Sequence, residues 1–131
     1  MHYDPQKSKQ FKSRDEVIQI LKSFPLTTDI VMGMVDDGVS LEFISLENKG
    51  VALLIRGRWY VFINEDCDDR EKEEIVWHEL IHLHLRRIFG GLFNDNGPGS
   101  EEVHPVIVRE GERLAENPPI SYQKILDLIG R

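Results

Sequence analysis

The sequence predicts a protein of the α+β class, in which a small sheet packs against helices. Apolar residues recur at helical spacing near both ends of the chain, whereas short runs rich in strand-forming residues occupy the middle. The 131 residues are enough for one hydrophobic core but hardly for two. We therefore predict one domain covering residues 1–131, with the polar residues 1–10 frayed.

The first predicted helix begins after Ser13 and ends before Pro25. Ser13 and Glu16 have the spacing of a capping box, in which each side chain bonds the backbone of the other. The apolar stripe that follows consists of Val17, Ile18, Ile20 and Leu21. Proline cannot continue a helix, so the chain is expected to turn at residue 25.

Three strands are predicted at residues 41–46, 51–55 and 59–63. Glycine-containing segments at 48–50 and 56–58 separate them and are typical of turns. If each strand pairs with the next through these turns, the sheet is a three-stranded antiparallel meander.

Helices are predicted again over residues 69–88, from Pro105 to about residue 117, and over 121–129. The first is expected to be capped by Asp68 or Asp69. Acidic residues near its start and basic residues near its end suit the helix dipole. The Gly-Gly pair at 90–91 is expected to end it, and the composition of residues 94–100 predicts a loop.

Charge and cysteine content exclude several classes of protein. The chain has 16 Lys and Arg against 23 Asp and Glu, a net charge of -7, which disfavours direct binding of nucleic acid. No apolar run has the length of a membrane span, and the N-terminus does not resemble a signal peptide. The single cysteine, Cys67, cannot form an internal disulfide, so a cytoplasmic location is expected. Its acidic neighbours should raise the thiol pKa and make it a poor nucleophile.

The segment from His78 to His82 carries the clearest functional signal. It has the pattern His-Glu-x-x-His on a predicted helix, where residues four apart lie on the same face. Both imidazoles can then bind one Zn²⁺ at neighbouring corners of a tetrahedron. Glu79 is placed to take a proton from a water molecule on that metal and to pass it to a leaving amine.

The surroundings of this pattern indicate that the two histidines bind a metal rather than serve as ordinary core residues. Apolar residues cover almost the whole circumference of the 69–88 helix, so the helix should be buried. Two imidazoles and a carboxylate on a buried helix need partners, which a metal supplies. His84 points to another side of the helix and is expected to pack or to face solvent. His104 could be a ligand or stabilise an oxyanion, although capping or exposure is favoured.

The third metal ligand is expected downstream, and the residues leave it open. The candidates are Glu101, Glu102, Glu110 and Glu112. Glu110 and Glu112 are two positions apart on a helix and point in nearly opposite directions, so only one can face the metal. The apolar periodicity mildly favours Glu110.

Two segments resemble the ImmA/IrrE family of metallopeptidases. These are the strand end at residues 63–66 with its acidic continuation, and residues 74–83 around His-Glu-Leu-Ile-His. The family has a downstream Glu-x-x-Ala, which Glu112 and Ala115 match, so the resemblance implies that Glu112 is the third ligand. Ile81 stands where the family usually has glycine. The implied fold is zincin-like, with the sheet packed on a central active-site helix and flanking helices.

The resemblance implies a zinc metalloendopeptidase, often one whose substrate is a partner transcriptional repressor that binds DNA. The scissile peptide is expected to lie extended beside an edge of the sheet by strand addition, with the strand at 59–63 as the candidate edge. Tyr60 and Tyr122 are equally eligible to stabilise the oxyanion. The alternative is a peptidase-fold protein with weak or no activity that regulates a partner by binding it.

Overall fold

The structure is a computed structural model that describes residues 13–89 and 102–129. In chain order its elements are α1 (Arg14–Ser23), α2 (Thr28–Asp36), β1 (Ser40–Ile44), β2 (Gly50–Ile55), β3 (Arg58–Asn64), α3 (Asp69–Phe89), α4 (His104–Glu116) and α5 (Tyr122–Ile129). The predicted α+β class is confirmed. The predictions for residues 1–10, the Gly-Gly pair at 90–91 and the loop at 94–100 lie outside the described residues.

Side-chain caps fix the starts of α1 and α3. The Ser13 hydroxyl accepts a hydrogen bond from the Glu16 amide at 3.2 Å, and the Glu16 carboxylate accepts one from the Ser13 amide at 3.3 Å. The predicted capping box is therefore present. At α3, the Asp68 carboxylate accepts a hydrogen bond from the Glu71 amide at 2.8 Å. This bond makes Asp68, of the two predicted candidates, a capping residue for α3.

Helix α2 was not predicted from the sequence. The Thr27 hydroxyl accepts a hydrogen bond from the Ile30 amide and caps it, while Val31 and Met34 are buried. The helix is nine residues long and includes Gly33, a poor helix former. Its apolar contacts with the core therefore stabilise it more than its intrinsic propensity does.

Replacing Gly33 with alanine is expected to stabilise the protein. A Cβ atom at this position would have no heavy atom of another group within 4 Å, so the substitution creates no clash. Alanine is more favourable than glycine inside a helix by roughly 0.5–1 kcal/mol. Urea denaturation of Gly33→Ala should show a rise of that size in the free energy of unfolding. A fall would mean that the backbone at residue 33 is not in an ordinary helical conformation.

The strand order corrects the predicted antiparallel meander. The sheet has the order β1-β3-β2, with β3 parallel to β1 and antiparallel to β2. Only the β2–β3 connection is a tight hairpin, with positive φ at Arg56 and Gly57. The segment at 45–49 instead crosses the end of β3. There the Asn64 amide donates to the Lys49 carbonyl at 2.8 Å, and the Glu65 amide donates to the Ile44 carbonyl at 2.9 Å.

This order makes β3 the central strand and leaves β1 and β2 at the edges of the described sheet. The expectation that a peptide binds beside residues 59–63 is therefore wrong, because both neighbours of β3 already occupy its backbone. Among the described strands, only β1 and β2 have an edge on which another strand could pair.

Helix α3 is the central element of the core. It packs against β2 and β3 and, over a larger surface, against α4. Val61 and Ile63 of β3 and Trp77 of α3 are fully buried. The buried positions of α3 are Ile75, Val76, Trp77, Glu79, Leu80, Ile81, His82, Leu83, His84 and Leu85, as the apolar circumference predicted. In the two described segments no helix is both long enough and apolar enough to cross a membrane.

Candidate metal centre

Helix geometry brings His78 and His82 together as the sequence pattern predicted. The two Nε2 atoms are 3.0 Å apart, and the ring centroids are 4.7 Å apart. His82 is 6% exposed and the neighbouring Glu79 only 7% exposed, whereas His78 is partly exposed. The two nitrogens are therefore at hydrogen-bonding distance at the edge of the core, and the residue that follows His78, Glu79, is buried.

The spacing of these nitrogens fits a tetrahedral metal. Two nitrogens that bind Zn²⁺ at about 2.0–2.1 Å occupy corners of a tetrahedron that are roughly 3.3 Å apart. The observed 3.0 Å between His78 and His82 differs from that value by no more than a small rotation of the rings can supply. Neutral imidazole nitrogens are also the donors that Zn²⁺ most often takes from helices of this kind.

A third histidine from α4 completes the group. The His104 ring centroid lies 5.1 Å from that of His78 and 5.9 Å from that of His82. One ring nitrogen from each of the three histidines lies within 4.8 Å of the others. The sequence had favoured capping or exposure for His104. Its side chain is exposed, and the structure places its ring beside the rings of His78 and His82.

The glutamates considered as third ligands lie in different places. Glu112 is exposed and lines the same cleft as His78 and Glu79, but it does not belong to the group of converging ligand atoms. Glu110 contacts Arg113 and lines a separate groove between α1 and α4. The mild preference of the periodicity for Glu110 is thus wrong for this site. Glu102 is exposed, and Glu101 lies outside the described residues.

A cleft of about 530 Å³ is lined by His78 and His104, whereas the buried His82 is not part of its lining. One wall is the start of β2 with the preceding Asn48 and Lys49, and the other walls come from α3 and α4. Carboxylates predominate among its charged residues, which are Lys49, Glu71, Glu74, Glu79 and Glu112. An acidic cleft attracts cationic groups and repels anionic ones.

Two glycines allow the walls of the cleft to approach α3 closely. A Cβ atom on Gly50 would lie 2.5 Å from Cγ2 of Ile75 and 3.6 Å from Cγ of Glu79. A Cβ atom on Gly111 would lie 3.3 Å from the backbone nitrogen and Cα of His78. The absence of a side chain at these positions brings β2 against Glu79 and α4 against His78.

The other reactive side chains lie away from the cleft. The ring of His84 is buried, with Nε2 2.7 Å from the Phe24 carbonyl oxygen, and burial lowers its pKa. Burial, followed by the charge of Glu71, raises the pKa of the Cys67 thiol, in the predicted direction. Burial also raises the pKa of Tyr122 to about 12. Tyr122 lines a different groove and Tyr60 stacks on Phe62, so neither candidate for the oxyanion faces the cleft.

A signal for His104 was present in the sequence. His104, Val108 and Glu112 recur at intervals of four residues, so they lie along one stripe of α4. All three line the cleft. This spacing places the three residues on one side of α4, but by itself it does not make His104 a ligand.

No family model, no curated protein and no solved structure matches this chain. The likeness to the ImmA/IrrE family therefore stays a prediction from the residues around His78, and the site must be judged by its own geometry.

Proposed function

We propose that this protein is a zinc-dependent metalloendopeptidase that hydrolyses a peptide bond in a protein substrate. The observation that carries the proposal is the convergence of the His78 and His82 nitrogens to 3.0 Å, with His78 and Glu79 both lining an open cleft. A purely structural zinc site usually has cysteine ligands, and it gains nothing from a carboxylate at the position of Glu79.

Each residue of the proposed site has a distinct task. His78 and His82 hold the metal from two successive turns of α3, and a residue of α4 supplies the third ligand. Zn²⁺, when bound, lowers the pKa of a coordinated water and polarises the substrate carbonyl. Glu79 accepts a proton from the attacking water and returns it to the leaving amine. Its buried position limits competition from bulk water for that proton.

The substrate is an extended segment of a protein, and strand β2 is the element on which we place it. β2 is an edge strand of the described sheet, and its first residue, Gly50, lines the cleft. An added strand would bind through its main chain and pass within reach of the histidines. The excess of carboxylates in the cleft favours substrates with basic side chains near the cleavage point. The family resemblance implies a partner transcriptional repressor as the substrate, and such a protein is the source that we propose for the extended segment.

Removal and return of zinc tests this function directly. The purified protein is incubated with a proteome-derived library of peptides, and new termini are identified by mass spectrometry. We expect cleavage by the zinc-loaded protein, its loss after chelation, and its recovery after one equivalent of Zn²⁺. Cleavage that persists after zinc removal would contradict a metal-dependent mechanism. A zinc-loaded protein that binds peptides but leaves them intact would favour the binding-module alternative.

A further inference from the structure

The third metal ligand can be assigned from the position of α4. We infer that His104, rather than Glu112, completes the metal site and makes it a three-histidine site. This inference rests on the proposed metal site but not on the proposed hydrolysis. It departs from what the family resemblance implied, because that resemblance pointed to the glutamate.

The distances favour the histidine. The ligand atoms of His78, His82 and His104 come within 4.8 Å of one another, and within the described part of the chain no carboxylate joins them. The ring of His104 approaches the rings of both helix α3 histidines, at 5.1 Å and 5.9 Å. A modest rotation of the His104 side chain would therefore bring its ring nitrogen to an ion held between the nitrogens of His78 and His82.

Helix α4 packs against α3 on the side of His78. Gly111 lets α4 lie directly against the backbone of His78, so the two helices are close along this face. His104 is the first residue of α4, and the following Pro105 suits the first helical turn. Glu112 follows eight residues later, about 12 Å further along the axis. The two side chains thus enter the cleft at different heights.

The donor chemistry is consistent with catalysis. Three imidazoles and an open fourth position form one of the known ligand sets of catalytic zinc. Compared with a site that includes a carboxylate, three neutral ligands leave the full charge of the ion in place. That charge is balanced in this cleft by Glu79 and by the nearby Glu74 and Glu112, which line its walls.

Metal binding by the full chain tests the assignment without any need for activity. Co²⁺ is titrated into metal-free protein and followed by its visible absorption, and Zn²⁺ affinity is measured by competition. Loss of an outer-shell partner typically costs about 10–100-fold in affinity, so His104→Ala should cost at least that much. Glu112→Gln is the matched comparison: it removes one charge from the cleft, so it should lower the affinity far less than His104→Ala and leave the Co²⁺ spectrum unchanged. Circular dichroism shows whether each variant is folded.

A second measurement requires no substitution. The chain has five histidines. In ¹⁵N-labelled protein, Zn²⁺ should shift the ring nitrogens of three of them, and only two should respond if the third ligand is a glutamate. Loss of affinity in Glu112→Gln, with wild-type affinity in His104→Ala, would overturn the assignment and leave the metal site intact. A wild-type protein that binds neither metal would overturn the proposed function as well.

Discussion

Replacing Glu79 with glutamine is expected to abolish most of the peptide hydrolysis while zinc stays bound. Glutamine has nearly the same shape as glutamate, so the packing of this 7%-exposed position should survive. It cannot accept the proton of the attacking water. General acid–base groups contribute about 10²–10⁴-fold to rates, and a loss of that size in kcat/KM is expected for Glu79→Gln.

Glu73→Gln is a suitable control because it makes the same chemical change on the same helix. Glu73 lines the groove beside Tyr122 and not the cleft. Its substitution should leave both hydrolysis and zinc content at the wild-type level. Undiminished hydrolysis by Glu79→Gln, with zinc still present, would contradict the role of Glu79 as the base. Loss of zinc from Glu79→Gln would instead show that Glu79 supports the metal.

Features that depend on neighbouring residues could be predicted from the sequence. The capping box at Ser13, the extent of α3 and the pairing of His78 with His82 all follow from spacings of three or four residues. Such spacings act within a single helix, so no knowledge of the rest of the fold is needed. For the same reason the burial of α3 followed from its apolar circumference alone.

Features that depend on tertiary contacts could not be predicted in the same way. The crossing of residues 45–49 over the end of β3 is stabilised by hydrogen bonds that Lys49 and Ile44 make with the far end of that strand. A turn-like composition at residues 48–50 is equally compatible with a hairpin. Similarly, nothing local to His104 shows that Gly111 brings α4 against His78. Sequence separation explains why neither of these contacts could be predicted.

These long-range contacts also explain how a small protein could hold the geometry that the proposed function requires. Glu79 is flanked by a strand and His78 by a helix, and a glycine of each neighbouring element lies close to it. A rigid element on either side limits the positions that the two side chains can take, as a preorganised site requires.

Replacing Gly50 with alanine should therefore impair both stability and hydrolysis. The new Cβ atom would lie 2.5 Å from Cγ2 of Ile75 and 3.1 Å from the Phe62 carbonyl oxygen, so β2 or α3 must shift. Overpacking of this kind typically costs about 1–3 kcal/mol of unfolding free energy. Because Gly50 has no positive φ, the cost is steric and not a matter of backbone strain. A displacement of about 1 Å at Glu79 can lower the rate by roughly 10²-fold.

The comparison with Gly33→Ala separates this steric effect from a general effect of adding a methyl group. The two substitutions are chemically identical, but only Gly50 faces a crowded neighbour. Urea denaturation should show opposite changes in the free energy of unfolding, a fall for Gly50→Ala and a rise for Gly33→Ala. Zinc affinity should change little in Gly33→Ala, because residue 33 lies on α2 and does not line the cleft. If Gly50→Ala hydrolyses peptides at the wild-type rate, β2 does not position Glu79, and the cleft owes its geometry to the two helices alone.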